Sequence, residues 1–193
     1  MGEIDTAVRP VKMIVGILFD DEQIYEKALR RLALDFGALD LRSEIIPFTF
    51  TDYYREEMGD NLRRQWVSIG PLIRSEQLAK VKAHTNRLEQ WLTEGAGEGT
   101  EQRSATDGRL INLDPGYLDL AKLVLASTKD FSHRVPVGQG IYAEVTLRWR
   151  RNQGFEACGD WTYPDYVSST ANDFLNQVRQ NYLEQLRPTD AAS

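Results

Sequence analysis

His133 lies within five residues of Lys129, Asp130 and Arg134, so a proton carrier, a carboxylate and two cations share one short stretch. A histidine can take or give a proton near neutral pH. Asp130, three residues earlier, would orient its ring, and Lys129 and Arg134 would clamp an anion. The competing reading is a loop histidine that hydrogen-bonds backbone. In an enzyme, His133 and Asp130 would be the catalytic residues, with hydrolysis or transfer at a phosphate compatible but not required. Other polar residues gather nearby. Asn112 falls at the end of a strand, where sites in mixed folds collect. Asp114 could serve as ligand or base, but Pro115 follows it as at a helix start, so a helix cap is the stronger reading. Asp52 and Tyr53, with Tyr54 and Arg55, form either a turn packed at a core edge or a stacking wall for a planar ligand. Tyr142 and Glu144 continue the polar stretch. Glu144 and Arg148 share one face of a single strand, as a pocket lining or as a solvated ion pair.

Asp114, Asp130, His133 and Glu144 are metal-ligand types, yet no H-E-x-x-H or EF-hand spacing occurs, and no metal is assigned. No cofactor follows from these residues. The net charge is −6, which argues against a globally basic nucleic-acid coat. Between Lys129 and Arg151, however, five basic residues face only Asp130 and Glu144, a local charge of +3. Basic groups beside tyrosine and histidine suit a small anionic ligand or a nucleotide. An RNA-binding accessory protein ranks lower, because no RNP1-like aromatic signature appears. A scaffold whose motifs serve packing alone is the third reading.

The chain has 193 residues, enough for one domain with a sizeable core. Residues 11–19 are nearly all apolar and predict a strand buried on both faces. Asp20 is expected to cap the next helix, whose stripe is Ile24, Ala28, Leu29, Leu32 and Phe36, with Gly37 as its stop. Strands are expected at 41–50, with Pro47 at an edge or bulge, and at 64–70. Ser75 opens a long helix that Gly95 closes. A short strand at 109–113 completes a βαββαβ order, which predicts an α+β fold with a ferredoxin-like core. A helix at 117–127, a β-hairpin turning at Gly138-Gln139-Gly140 and a C-terminal helix at 169–187 extend it. In the strand 141–150, Ile141, Ala143, Val145, Leu147 and Trp149 would face the core. A single domain at 11–187 is expected, with flexible 1–10 and 188–193 and a mobile Gly-rich loop at 95–108.

The stretches VKMIVGILFDDE, FTFTDYYREEMG, INLDPGYLDLAKLVLASTKDFSHRV, GQGIYAEVTLRW and WTYPDY run in order through most of the chain. Together they resemble a bacterial family designated domain of unknown function 4416. The resemblance implies no established activity, although some members carry a GTP-binding label. A P-loop needs G-x-x-x-x-G-K-[ST], and no such run is present, so conventional P-loop GTPase activity is not expected. The lone Cys158 allows no intramolecular disulfide, and the apolar run at 13–19 is too short to span a bilayer. A cytoplasmic protein without membrane partners is the expectation.

Overall fold

Nine consecutive buried residues, Val11–Phe19, form β1, and their burial on both faces requires a layer on each side. In the computed structural model, which describes residues 9–95 and 108–187, that is the arrangement. Met13, Val15, Ile17 and Phe19 point into one apolar cluster and Ile14 into another. Of the expected flexible ends 1–10 and 188–193, all but Arg9 and Pro10 lie outside the described residues, as does most of the expected loop at 95–108. The elements that follow β1 are α1 (Glu22–Phe36), β2 (Leu39–Arg42), β3 (Ile46–Pro47), α2 (Arg55–Met58) and β4 (Arg63–Ile73). Next come α3 (Leu78–Gly95), β5 (Ile111–Leu118), β6 (Lys122–Ser127), β7 (Val135–Gly138), β8 (Ile141–Arg150), β9 (Gly154–Ala157) and α4 (Ser169–Gln185). The strands join in one mixed-length antiparallel sheet of order β2-β4-β1-β5-β6-β8-β7, with β3 on β4 and β9 on β8. α1 and α3 cover one face and α4 the other. The fold is therefore mixed α+β, with a nine-stranded sheet larger than the four-stranded core and hairpin expected.

Several local expectations shift. Asp21, not Asp20, caps α1, accepting the N–H groups of Gln23 and Ile24 at 2.7 and 3.0 Å. The expected stripe of α1 is buried apart from half-buried Phe36, and the Gly37 N–H bonds Ala33. The strand expected at 41–50 is replaced by β2 and the two-residue β3, in which Pro47 sits opposite Arg63 at an edge. β8 carries a bulge: Val124 pairs with Val145 and Leu123 with Leu147, leaving Thr146 as the extra residue. The predicted alternation breaks there, so Glu144 and Thr146 are buried and Val145 is exposed.

The largest correction lies at 109–127. The chain forms no helix at 117–127 and Asp114 caps none; the segment is the β5–β6 hairpin. An apolar run of this length fits a buried strand pair as well as a buried helix, and periodicity alone cannot separate them. Asp119 is the turn residue, its carboxylate accepting the N–H groups of Ala121 and Lys122 at 2.7 and 2.8 Å. β6 pairs with β5 only over Gly116–Leu118 and otherwise follows β8. Pro115 therefore interrupts no ladder on that side.

Beyond Gly116 the two strands part, and backbone exposed by the parting must find other partners. α3 supplies them. Glu89 Oε1 accepts the Leu113 N–H at 2.5 Å, and Lys82 Nζ donates to the Leu113 carbonyl at 2.8 Å. Both side chains are buried. Burial is the largest influence on Glu89 and lifts its carboxyl to about 7, against the pull of Lys82 and the Leu113 N–H. A carboxyl that holds its proton more tightly when folded stabilises the fold at low pH. That contribution is lost as pH rises from 4.5 through about 7. Glu89→Gln keeps an oxygen for Leu113 and removes the titration. Its stability relative to the parent chain is expected to climb by roughly 2–3 kcal/mol between about pH 5 and about pH 8. Urea denaturation at several pH values checks this, and a pH-independent difference contradicts it.

Candidate functional site

The parting of β5 from β6 opens a cleft of about 480 Å³. Its floor is Arg64 of β4, 3% exposed. Arg64 Nη1 lies 3.2 Å from Asp114 Oδ2, and Nε lies 2.9 Å from Asp165 Oδ2. The second contact is an ion pair without hydrogen-bond geometry, and both of its atoms are buried without a hydrogen-bond partner among the described residues, as are Tyr166 Oη and Trp66 Nε1. Phe48 and Tyr166 flank the guanidinium at 5.3 and 5.9 Å. Burial opposes the charge on Arg64, but Asp165 and Asp114 outweigh it and raise its pKa further. For Asp114, burial pushes upward and is overcome by Arg64, Lys82 and the Asn112 amide, so its carboxyl is held low. Asp165 lacks that extra help, and burial raises it despite Arg64.

Two aromatic banks enclose this floor. One comprises Phe48, Phe50, Tyr53 and Tyr54, joined by edge-on and tilted contacts. The other carries Tyr163 and Tyr166 from the short 3-10 turn Pro164–Val167 and the residue before it. Between them, Arg134 donates from Nε to Glu144 Oε2 at 2.7 Å, from Nη1 to the Lys129 carbonyl at 3.0 Å and from Nη2 to Tyr163 Oη at 3.2 Å. Thr146 donates its hydroxyl to the other Glu144 oxygen at 3.0 Å. Arg109 grips both oxygens of Glu57 at 3.1 Å and donates to Asn112 Oδ1 at 2.7 Å. Lys129 Nζ donates to Tyr53 Oη at 2.7 Å. Among the described residues, five basic side chains and three carboxylates line the cleft. Lys82 and Lys129 are the two whose hydrogen bonds go to uncharged groups.

Of the residues singled out from the sequence, Asn112, Tyr53, Lys129, Arg134 and Glu144 line the cleft. Asn112 and Asp114 do so together because alternate residues of β5 share a face. His133 stands behind the lining, with Nε2 3.0 Å from Glu144 Oε2 and its ring stacked on Trp161 at 4.9 Å. Asp130 does not orient that ring; it is exposed, and Glu144 fills the place expected of it. Asp52 is likewise exposed and pairs with Arg55 at 3.0 Å. Tyr142 is half-buried on β8 outside the cleft lining. Arg148 is exposed beside Glu156, because the bulge at Thr146 places it on the face opposite Glu144. Sequence reasoning missed Arg64, Lys82, Arg109 and Asp165 as cleft residues. Arg64 is one of the adjacent Arg63-Arg64 pair that opens β4, and nothing local in the sequence tells which of the two is buried. Among the described residues, no group of three or more His, Cys, Asp or Glu could share a metal ion.

Gly16 of β1 makes the floor possible. A Cβ there would stand 2.5 Å from Tyr166 Oη and 3.2 Å from Arg64 Nη1. Gly16→Ala is expected to destabilise the fold by ~1–3 kcal/mol, the usual range for overpacking. Tyr166→Phe removes the atom the methyl meets, so the double variant should lose less than the sum of the singles. Denaturant unfolding of the four chains checks this, and strict additivity contradicts it.

A protein-family model described as "Domain of unknown function (DUF4416)" matches residues 9–182. No curated protein and no solved structure matches the chain. The matched span runs from the residues before β1 into α4 and takes in every described residue that lines the cleft. The chain belongs to the DUF4416 family.

Proposed function

We propose that the cleft binds a phosphate-bearing small molecule or a nucleotide. The observation that carries this reading is the pair Lys82 and Lys129, cations lining an aromatic-walled cleft whose hydrogen bonds go to uncharged groups. Lys82 also faces the Asp114 and Glu89 carboxylates, whereas Lys129 bonds the neutral Tyr53 hydroxyl and keeps its charge available to an anion. Ser127 and Thr128, at the end of β6, add hydroxyls beside Lys129. The tyrosines of the two banks offer flat surfaces and hydroxyls to a planar group. Each carboxylate lining the cleft faces a guanidinium: Asp114 and Asp165 face Arg64, and Glu144 faces Arg134. That favours binding over proton transfer, and no reaction is part of the proposal. The strand order β2-β4-β1-β5, with α1 and α3 on one face, supports a ferredoxin-like reading of residues 11–118. The lone Cys158 supports a reducing, cytoplasmic location.

A thermal-shift panel of nucleotides and phosphorylated metabolites at millimolar concentration tests the binding. A ligand at one hundred times its Kd adds about 2.7 kcal/mol to stability, a readable rise in Tm. Lys129 is exposed, so Lys129→Ala should fold normally and weaken the responding ligand about tenfold or more, the worth of a charged hydrogen bond. A panel without any stabilising member overturns the reading.

A further inference from the structure

Asp114 presents an unused oxygen to the cleft. Its Oδ2 accepts from the Asn112 amide at 2.7 Å and from Arg64 Nη1 at 3.2 Å. Its Oδ1 accepts no hydrogen bond among the described residues and, unlike Asp165 Oδ2, is open to the cleft, the side chain being 26% exposed. Burial pushes the carboxyl up, but Arg64, Lys82 and the Asn112 amide outweigh it and hold the group ionised. An ionised carboxylate only accepts, so the open oxygen calls for a donor. A phosphate brings acceptor oxygens and negative charge and is repelled there. An ammonium would stand beside Arg64 and Lys82 and be repelled by both. A hydroxyl donates without carrying charge.

The neighbouring arginine makes the complementary demand. Arg64 Nη2 donates to nothing among the described residues and, unlike Nε, is not sealed from solvent. A polyol answers both groups, one hydroxyl donating to Asp114 and the same or another accepting from Arg64. At the other end of the cleft, Lys129 is the exposed member of the five lining cations, with the Ser127 and Thr128 hydroxyls beside it. The cleft, at about 480 Å³, falls within the small-ligand range of about 300–1,000 Å³.

We propose that the ligand is a phosphate ester of a polyol, a sugar or a ribonucleoside, with a hydroxyl donating to Asp114 Oδ1 at the floor and the phosphate at Lys129 in the mouth. This inference rests on the phosphate-binding reading of the same cleft and adds the group that the floor recognises and the direction in which the ligand lies.

Calorimetric titration of the full chain with matched probes tests it. Ribose 5-phosphate, glucose 6-phosphate and adenosine 5′-monophosphate carry the hydroxyls. Ethyl phosphate and 2′,3′-dideoxyadenosine 5′-monophosphate are their counterparts without them. The tightest hydroxylated probe is expected to bind about ten- to a hundredfold more tightly than its counterpart, the effect of a hydrogen bond to a charged group. Asp114→Asn keeps the shape and removes the charge, and should narrow that gap about fivefold or more. The comparison of probes on the parent chain needs no variant, so the test stands if Asp114→Asn fails to fold. A preference for the sugar phosphates or for the nucleotide supports the inference and names the polyol. Equal affinity within both sets of probes overturns the hydroxyl contact and leaves the cleft reading intact. Ribose that binds as tightly as ribose 5-phosphate overturns the phosphate reading itself. Absence of binding by every probe overturns both.

Discussion

Backbone polar groups taken out of water must be hydrogen-bonded, and this constraint governs the middle of the sheet. β6 stays with β8 along its whole length and leaves β5 after Gly116. In a continuous sheet Leu113 would bond a neighbouring strand. Here two side chains of one helix do that work, with Lys82 on the carbonyl and Glu89 on the N–H. Lys82 and Glu89 lie seven residues apart, two turns of helix, so both face β5. One arrangement thus seals the open backbone, brings a buried ammonium to the edge of the cleft and leaves space between two strands. The cleft is the consequence of that parting, and α3 is what makes the parting tolerable.

The floor obeys a similar necessity. A buried guanidinium is costly to desolvate and persists only with opposing charge and hydrogen bonds. Arg64 has Asp114 on one side and Asp165 on the other. These partners come from β5 and from the turn before α4, 50 and 101 residues after Arg64 in the chain, so the floor exists only once both have closed on the sheet. Gly16 leaves the room in which Arg64 and Tyr166 lie. Replacing such a cluster with apolar side chains of equal volume commonly leaves a fold as stable or more so.

Much of the scaffold was legible in the sequence because its signals are local. β1 shows as an unbroken apolar run, α1 and α3 as stripes of period 3.6, and the β7–β8 turn as Gly138-Gln139-Gly140, where Gln139 and Gly140 take positive φ. The β5–β6 hairpin was not legible as such. Its apolar run lacks a decisive period, and the Asp114-Pro115 pair imitates a helix start. Two finer cues did exist: Asn112 and Asp114 alternate with Ile111 and Leu113, and Asp119 is a turn former. The bulge at Thr146 is a tertiary event; it puts Val145 and Leu147 on opposite faces and moves Arg148 off the cleft. The cleft residues split along the same line. Lys129, Arg134 and Glu144 cluster in sequence and could be seen, whereas Arg64, Lys82 and Asp165 become neighbours only through the fold.

The same geometry separates the roles of the polar residues at the mouth. Arg134 spends its donors on Glu144, on the Lys129 carbonyl and on Tyr163, so it ties three segments together more than it reaches toward a ligand. Glu144 is held in turn by Arg134, Thr146 and the neighbouring His133 ring, with both oxygens occupied. His133 then acts through Glu144, as a ring wedged between Phe131 and Trp161 that fixes the carboxylate and through it the arginine. Lys129 differs from all of these. It is exposed, its ammonium meets only the Tyr53 hydroxyl and ring among the described residues, and its four-carbon stem is flexible. The mouth thus combines a rigid frame built on Glu144 with one adaptable charge. Rigid supports lower the entropy lost on binding, and a mobile cation accommodates phosphates of differing position. That division of labour agrees with the proposed binding of a phosphate-bearing ligand, in which the frame would hold its shape while Lys129 follows the charge.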